Sequence, residues 1–80
     1  MNEIERKIYV DEELFKNEYS YMYGDKKDEL VTFAYYNFRK DKETEVNLDM
    51  NYSQALAFAR YRANDKRYRN YEFFIFSTQV

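Results

Sequence analysis

Hydrophobic and charged residues alternate along the first stretch of the chain. Ile4, Ile8 and Val10 are separated by mostly charged neighbours, a pattern typical of a strand with one buried face. Arg6 interrupts the alternation, so a helix stays open as an alternative for this segment. We expect these residues to form the first strand.

Helical spacing begins directly after this strand. Asp11 has the character of an N-cap and is followed by acidic residues in the first turn. Gly24 stands at the position that commonly ends a helix. The pattern favours a helix from about 12 to 22, with a strand as the alternative. The helix would carry the apolar residues Leu14, Phe15, Tyr19 and Met22, whereas the strand would place Tyr19, Tyr21 and Tyr23 on one face.

The middle of the chain has the pattern of a β-hairpin. Residues 30 to 38 are rich in aromatic and β-branched side chains, and both faces of such a strand would be apolar. Residues 39 to 44 form a charged turn. Residues 45 to 50 then alternate, with Val46, Leu48 and Met50 pointing inward and Glu45, Asn47 and Asp49 pointing outward.

The last third of the chain predicts a helix followed by a strand. Asn51 or Asp49 can cap a helix that begins near Tyr52, and Tyr61 falls on its outer side with Phe58 between the two faces. Its buried stripe would consist of Tyr52, Ala55, Leu56, Ala59 and Ala63. Residues 71 to 78 are apolar on both faces, which indicates a final strand.

The predicted element order is strand, helix, strand, strand, helix, strand. This order is that of a ferredoxin-like βαββαβ domain of the α+β class, with an antiparallel sheet and two helices on one face. Residues 1 to 80 would form a single domain, since no proline and only one glycine interrupt the chain. The uncovered face of the sheet would expose rings from 30 to 38 and from 71 to 78.

Composition excludes most enzyme chemistry. The chain has no histidine and no cysteine, so imidazole catalysis, thiolate nucleophiles and common zinc sites are absent. We expect no enzyme, no cofactor, no metal and no catalytic residue; a ribonuclease that works through arginine, lysine and tyrosine is the weaker enzyme alternative. A cysteine-free chain without a long apolar run also indicates a cytoplasmic protein that does not enter a membrane.

Charge is distributed unevenly over a chain of net charge −2. An acidic face is predicted from seven residues: Asp11, Glu12, Glu13, Glu18, Asp25, Asp28 and Glu29. The segment from 60 to 71 is instead basic and rich in tyrosine. It supplies most of the candidate partner-binding residues, which are Phe58, Arg60, Tyr61, Arg62, Arg67, Tyr68, Arg69 and Tyr71.

Tyrosine and arginine are the residue types enriched where proteins bind one another, so the chain is predicted to be a non-catalytic protein-binding module. An acidic face could block the basic groove of a nucleic-acid-handling protein. The chain is also short, rich in acidic residues, and biased toward lysine, asparagine, tyrosine and phenylalanine. In this composition the chain resembles the small inhibitors of phages and mobile elements, including anti-CRISPR proteins, which implies an inhibitor.

Two alternatives remain open. A small RNA- or single-stranded-DNA-binding domain could use the 60 to 71 tract, and a sheet with exposed rings resembles RNA-recognition domains. The predicted third strand, however, places carboxylates where such domains stack bases, which would repel phosphate. A homodimer through the open sheet face would cover the same rings without another partner.

Overall fold

The computed structural model describes residues 7 to 78, except for the side chains of 45, 47 and 48. The strands are Ile8–Val10 (β1), Leu30–Asn37 (β2), Lys42–Asn51 (β3) and Tyr71–Ser77 (β4). The helices are Glu12–Lys16 (α1), Glu18–Met22 (α2) and Tyr52–Ala63 (α3), and a 3₁₀ turn spans Lys66–Tyr68. The predicted order of elements is confirmed, with the first helix divided into two. Ile4, which was assigned to the first strand, lies outside the described residues.

The four described strands form one mixed sheet in the order β1-β4-β2-β3. β2 is antiparallel to both of its neighbours, whereas β1 runs parallel to β4, with Ile8 opposite Phe73. The α+β class is therefore confirmed, but the sheet is not the antiparallel one that the ferredoxin-like prediction requires. β3, α3 and β4 form a βαβ unit with β2 lying between its two strands.

The observed strand order follows from which strands are apolar on both faces. In β2, Phe33 and Ala34 point to opposite faces and both are buried; in β4, Phe73 is buried on one face and Phe74 half-buried on the other. Such strands are most stable with a neighbour along each edge, because unpaired edges are exposed to water. A ferredoxin-like order would have put the second and fourth strands at the edges. The short β1 and the partly charged β3 occupy the edges instead.

The helical prediction for residues 12 to 22 is confirmed, although Asn17 divides the segment. Asp11 caps α1 by accepting a hydrogen bond from the Glu13 amide at 3.4 Å. Gly24 follows the end of α2 at a position too crowded for a side chain. A Cβ there would lie 2.9 Å from the Ser20 Cα, so any other residue would require the backbone to shift. This close approach explains the single glycine of the chain.

The helix α3 begins as the sequence predicts. Asn51 caps it in a reciprocal arrangement with Gln54, in which each side chain accepts a hydrogen bond from the other residue's amide. All five residues of the predicted stripe are buried: Tyr52, Ala55, Leu56, Ala59 and Ala63. The alanines allow the helix axis to lie close to the sheet, where β2 and β4 supply the core side chains Val31, Phe33, Phe73 and Ile75.

The strand β3 contains an irregularity that the alternating sequence does not reveal. Val46 lies opposite Phe33 and Met50 opposite Val31, so β3 carries extra residues against the two-residue step of β2. Asp49 adopts a positive φ of 54° within this bulge, a conformation that aspartate tolerates better than most residues. Val46 and Met50 pack against the core as predicted. The Leu48 side chain, which was predicted to point inward, lies outside the described residues.

The face of the sheet opposite the helices is only partly apolar at its surface. Tyr9 stacks on Phe74 with ring centroids 5.2 Å apart, and its hydroxyl donates to Glu72 at 2.9 Å. Thr32 and Ala34 are buried on this face, between the flanking strands. β2 and β4 therefore expose less ring surface on this face than the sequence predicts, because neighbouring side chains cover one another.

Candidate interaction surface

Three of the four most exposed rings of the described chain lie along the helical segment α1–α2, and the fourth is Tyr61 of α3. Phe15, Tyr19 and Tyr23 have relative exposures of 68%, 75% and 69%. They recur every four residues, the spacing of neighbours along one side of a helix, although the break at Asn17 falls between Phe15 and Tyr19. The rings of Tyr19 and Tyr23 are in contact, with centroids 5.5 Å apart. We call these three residues the aromatic row.

The aromatic row points outward because other residues of the same segment point to the core. Leu14 and Tyr21 are fully buried. The two helices meet at Asn17, whose amide donates to the Glu13 carbonyl of α1 and whose carbonyl accepts from the Tyr21 amide of α2. These two bonds complete each short helix separately. Phe15 belongs to α1, whereas Tyr19 lies in α2 and Tyr23 at the C-terminal end of α2.

Carboxylates lie at both ends of the aromatic row and do not form one cluster. Residues 11 to 13 precede the row and residues 25 to 29 follow it, and between 11 and 29 the chain has seven acids and three lysines. Glu12, Glu13, Asp25 and Asp28 are exposed. The predicted acidic face is therefore divided into two acidic flanks, with Asp11 to Glu13 forming one and Asp25 to Glu29 the other.

Glu18, which was assigned to the acidic face, has a structural role instead. It is half-buried and accepts a hydrogen bond of 2.7 Å from the Tyr52 hydroxyl. Burial and this bond to a carboxylate raise the pKa of Tyr52 well above its usual value, because both disfavour the phenolate. The contact ties α2 to the start of α3. Glu18 is thus less accessible to a partner than the acids of the flanks.

Four of the eight predicted partner-binding residues pack against one another and against the rest of the protein. The Arg62 guanidinium lies 4.9 Å from the Phe58 ring centroid and 5.0 Å from that of Tyr68, and its Nη1 donates to the Tyr68 hydroxyl at 2.9 Å. Phe58 packs edge-on against Phe33 of the core, and Tyr68 contacts Tyr71. Phe58, Arg62, Tyr68 and Tyr71 therefore serve the fold, whichever partner the protein has.

The remaining predicted residues of the tract reach solvent. Arg60, Tyr61, Arg67 and Arg69 are exposed. Arg67 is paired with Asp65, to which its Nη2 donates at 2.8 Å, and this pair lowers the pKa of the Asp65 carboxyl to about 2. Arg60 lies in the last turn of α3, where a cation interacts favourably with the helix dipole.

The aromatic row was not among the partner-binding residues that the sequence predicted. Phe15 and Tyr19 were assigned to the apolar side of the first helix, yet the structure exposes them. One signal was present in the sequence: Leu14, Phe15, Tyr19, Tyr21, Met22 and Tyr23 are more apolar positions than one face of two short helices can bury. The excess identifies a helix with rings on its outer side.

Among the side chains that the structure describes, no three acidic groups come together in a way that could hold a metal ion. None of the helices formed by these residues is long and apolar enough to cross a membrane. Comparison of the chain with protein-family models, curated proteins and solved structures gives no match.

Proposed function

We propose that this protein is a non-catalytic protein-binding module that inhibits a nucleic-acid-handling protein in the cytoplasm. The aromatic row of Phe15, Tyr19 and Tyr23 supplies the contact, with the acidic flanks on either side. The observation that carries the proposal is the exposure of three large rings spaced four residues apart along α1–α2.

The aromatic row has the anatomy expected of the centre of a protein interface. Tyrosine and phenylalanine are enriched at interface cores, whereas aspartate and glutamate are found at the rim. Three rings of this size and exposure offer on the order of 300 Å² for burial. This area is roughly a third of the 800 Å² that each partner contributes to a standard interface. Neighbouring residues of the flanks and of α2 would supply the remainder.

The acidic flanks favour a basic partner. Carboxylates at both ends of the row would steer a positively charged surface toward the rings and would make association slower at high salt. Proteins that bind DNA or RNA present such surfaces, because they must neutralise phosphates. A small acidic domain seated there would exclude the nucleic acid, which supports an inhibitory role.

Several contacts weigh against the alternative of a nucleic-acid-binding domain. Arg62 is half-buried between two rings and Arg67 is paired with Asp65, so the 60 to 71 tract presents fewer cations to an extended phosphate backbone than its composition suggests. The exposed ring of Tyr9 on the open sheet face is hydrogen-bonded to Glu72. A carboxylate beside a potential stacking ring disfavours a phosphate backbone.

The proposal is tested by affinity capture with matched variants. The triple variant Phe15→Ser, Tyr19→Ser, Tyr23→Ser removes the aromatic row without altering a buried side chain. The control, Phe38→Ser with Tyr61→Ser, removes exposed rings elsewhere. Far-UV circular dichroism checks that each variant is folded.

We expect the wild type and the control to retain one specific, salt-sensitive partner from host lysate, and the triple variant to lose it. The purified partner should then lose nucleic-acid binding or cleavage when the wild-type protein is added. Capture that survives loss of the row, or a partner whose activity on nucleic acid is unchanged, would contradict the proposal.

A further inference from the structure

A cavity of about 180 Å³ lies between α3, the 3₁₀ turn and the sheet on the side of β3. Its lining is mainly aromatic and consists of Phe33, Tyr35, Val46, Phe58, Arg62, Tyr68 and Phe73. We call it the ring pocket. A second hollow of about 200 Å³ shares Tyr35 with it and is lined also by Asn37, Lys40, Lys42, Thr44 and Tyr71. We call this second space the lysine hollow.

The ring pocket is separate from the aromatic row. Val46 of β3 lines the pocket, whereas Phe15 of the row lies beside a different groove, with Ile8 and Val10 of β1. β1 and β3 are the opposite edges of the described sheet. The two features therefore lie on opposite sides of α3, and a ligand could occupy one without touching the other.

The pocket and the hollow are positively charged within an acidic protein. Arg62 lines the first, and Lys40 and Lys42 line the second. Neither has a carboxylate among its described lining residues. Arg62 lies beside apolar walls, where the lower local dielectric strengthens its attraction for an anion, whereas Lys40 and Lys42 are exposed to water.

The Arg62 guanidinium is fixed in an orientation that suits an anion. Stacking between Phe58 and Tyr68 fixes the plane of the guanidinium, and one of its five N–H groups is donated to the Tyr68 hydroxyl. The neighbouring carboxylate of Asp65 accepts hydrogen bonds from Arg67 through both of its oxygens. Arg62 therefore keeps donors in a fixed orientation, which suits two oxygens of a phosphate or carboxylate.

We propose that the ring pocket and the lysine hollow together bind a small anion that carries one planar ring. The ligand ring lies against Tyr35, Phe58 and Tyr68, the half-buried rings of the lining, where offset or edge-to-face contacts are available. The anionic group meets Arg62 or the two lysines. The volumes suit a single ring with one charged substituent, because sites for drug-sized ligands are larger, at roughly 300 to 1,000 Å³.

The proposal is tested by NMR titration of the full chain with phenyl phosphate, the simplest ring-bearing anion. Inorganic phosphate is the control for charge alone, and adenosine monophosphate tests whether a nucleotide is the natural source of the ring. We expect millimolar phenyl phosphate to shift the resonances of Val46, Phe58 and Arg62. We expect its affinity to exceed that of inorganic phosphate by about tenfold.

Two variants test the two halves of the site. Arg62→Gln should weaken phenyl phosphate by about tenfold, the usual effect of losing a charge-assisted hydrogen bond. Lys42→Gln changes an exposed side chain and cannot unfold the core, so it tests the contribution of the hollow even if Arg62→Gln destabilises the turn. Val46→Phe fills the pocket and should abolish the shifts.

Each outcome decides the matter. Binding of phenyl phosphate supports the proposal, and still tighter binding of adenosine monophosphate would identify a nucleotide as the source of the ring. Binding of adenosine monophosphate without binding of phenyl phosphate would overturn it, because the proposed site holds a single ring. Equal affinities for inorganic phosphate and phenyl phosphate would show that the rings play no part and would overturn it. Absence of shifts with both ring-bearing probes at millimolar concentration would also overturn it.

Discussion

The substitution Tyr21→Phe should make the protein more stable. The Tyr21 side chain is 1% exposed, and its hydroxyl has no hydrogen-bond partner within the described part of the chain. A buried hydroxyl without a partner costs roughly 1 to 3 kcal/mol, because its bonds to water in the unfolded chain are not replaced. Phenylalanine keeps the same ring and removes that cost.

Other contacts of Tyr21 do not depend on the hydroxyl. The ring meets Tyr52 edge-on at 6.3 Å, and the Lys26 ammonium lies 5.2 Å from its centroid. Both contacts would remain in Tyr21→Phe. We therefore expect a gain of about 1 kcal/mol, at the lower end of the range because the core can relax around the hydroxyl. In a domain of this size such a gain raises the melting temperature by roughly 4 to 8 °C.

Urea unfolding followed by circular dichroism measures this gain, and Tyr52→Phe is the matched control. Its hydroxyl donates to Glu18 at 2.7 Å, so its removal should instead cost about 1.5 to 3 kcal/mol, as expected for a bond to a charged group. Opposite signs for the two tyrosine-to-phenylalanine changes are the result we expect. A loss of stability in Tyr21→Phe would refute the reasoning, since it would mean that the hydroxyl is satisfied in solution.

Three further predictions follow from the structure. Gly24→Ala should lower the urea midpoint, because the new Cβ would lie 2.9 Å from the Ser20 backbone. Asp65 has a depressed pKa of about 2, so its pairing with Arg67 stabilises the fold above the ordinary aspartate value near 4 and less as pH falls toward 2. The stability difference between wild type and Asp65→Asn should therefore shrink over that range; a constant difference would contradict the pairing. The pKa of Tyr52 is raised, so its pH dependence runs in the opposite direction. The stabilisation that the Tyr52 hydroxyl provides persists up to about pH 10 and is lost as the pH rises through the pKa of Tyr52 in the folded protein, so Tyr52→Phe should flatten alkaline unfolding curves.

Local structure was predictable from the sequence where one physical rule acted alone. Asn51 begins α3, and the five residues of its stripe are buried, because a cap and a 3.6-residue period leave little freedom. The helix after Asp11 formed for the same reason. The strand order was not predicted, although its cause was visible: residues 30 to 38 and 71 to 78 are apolar on both faces and belong at the centre of a sheet.

The sequence predicted the residue types of the candidate surface but not its position in the fold. The sequence indicates more aromatic side chains than a small core can bury, and Tyr61 was correctly expected to be exposed. It could not show that Arg62 would stack on Phe58 and Tyr68, since that contact joins α3 to the 3₁₀ turn through space. The basic tract is therefore partly structural, and the aromatic row carries the larger exposed ring surface.

Tyrosine nitration measured with and without the captured partner tests the central claim most directly. Mass spectrometry reports the modification at each tyrosine separately. We predict that Tyr19 and Tyr23 react readily in the free protein and are protected in the complex, while Tyr61 reacts equally in both. Unchanged reactivity of Tyr19 and Tyr23 in the complex, with protection of Tyr61 instead, would contradict the account and assign the interface to the basic tract.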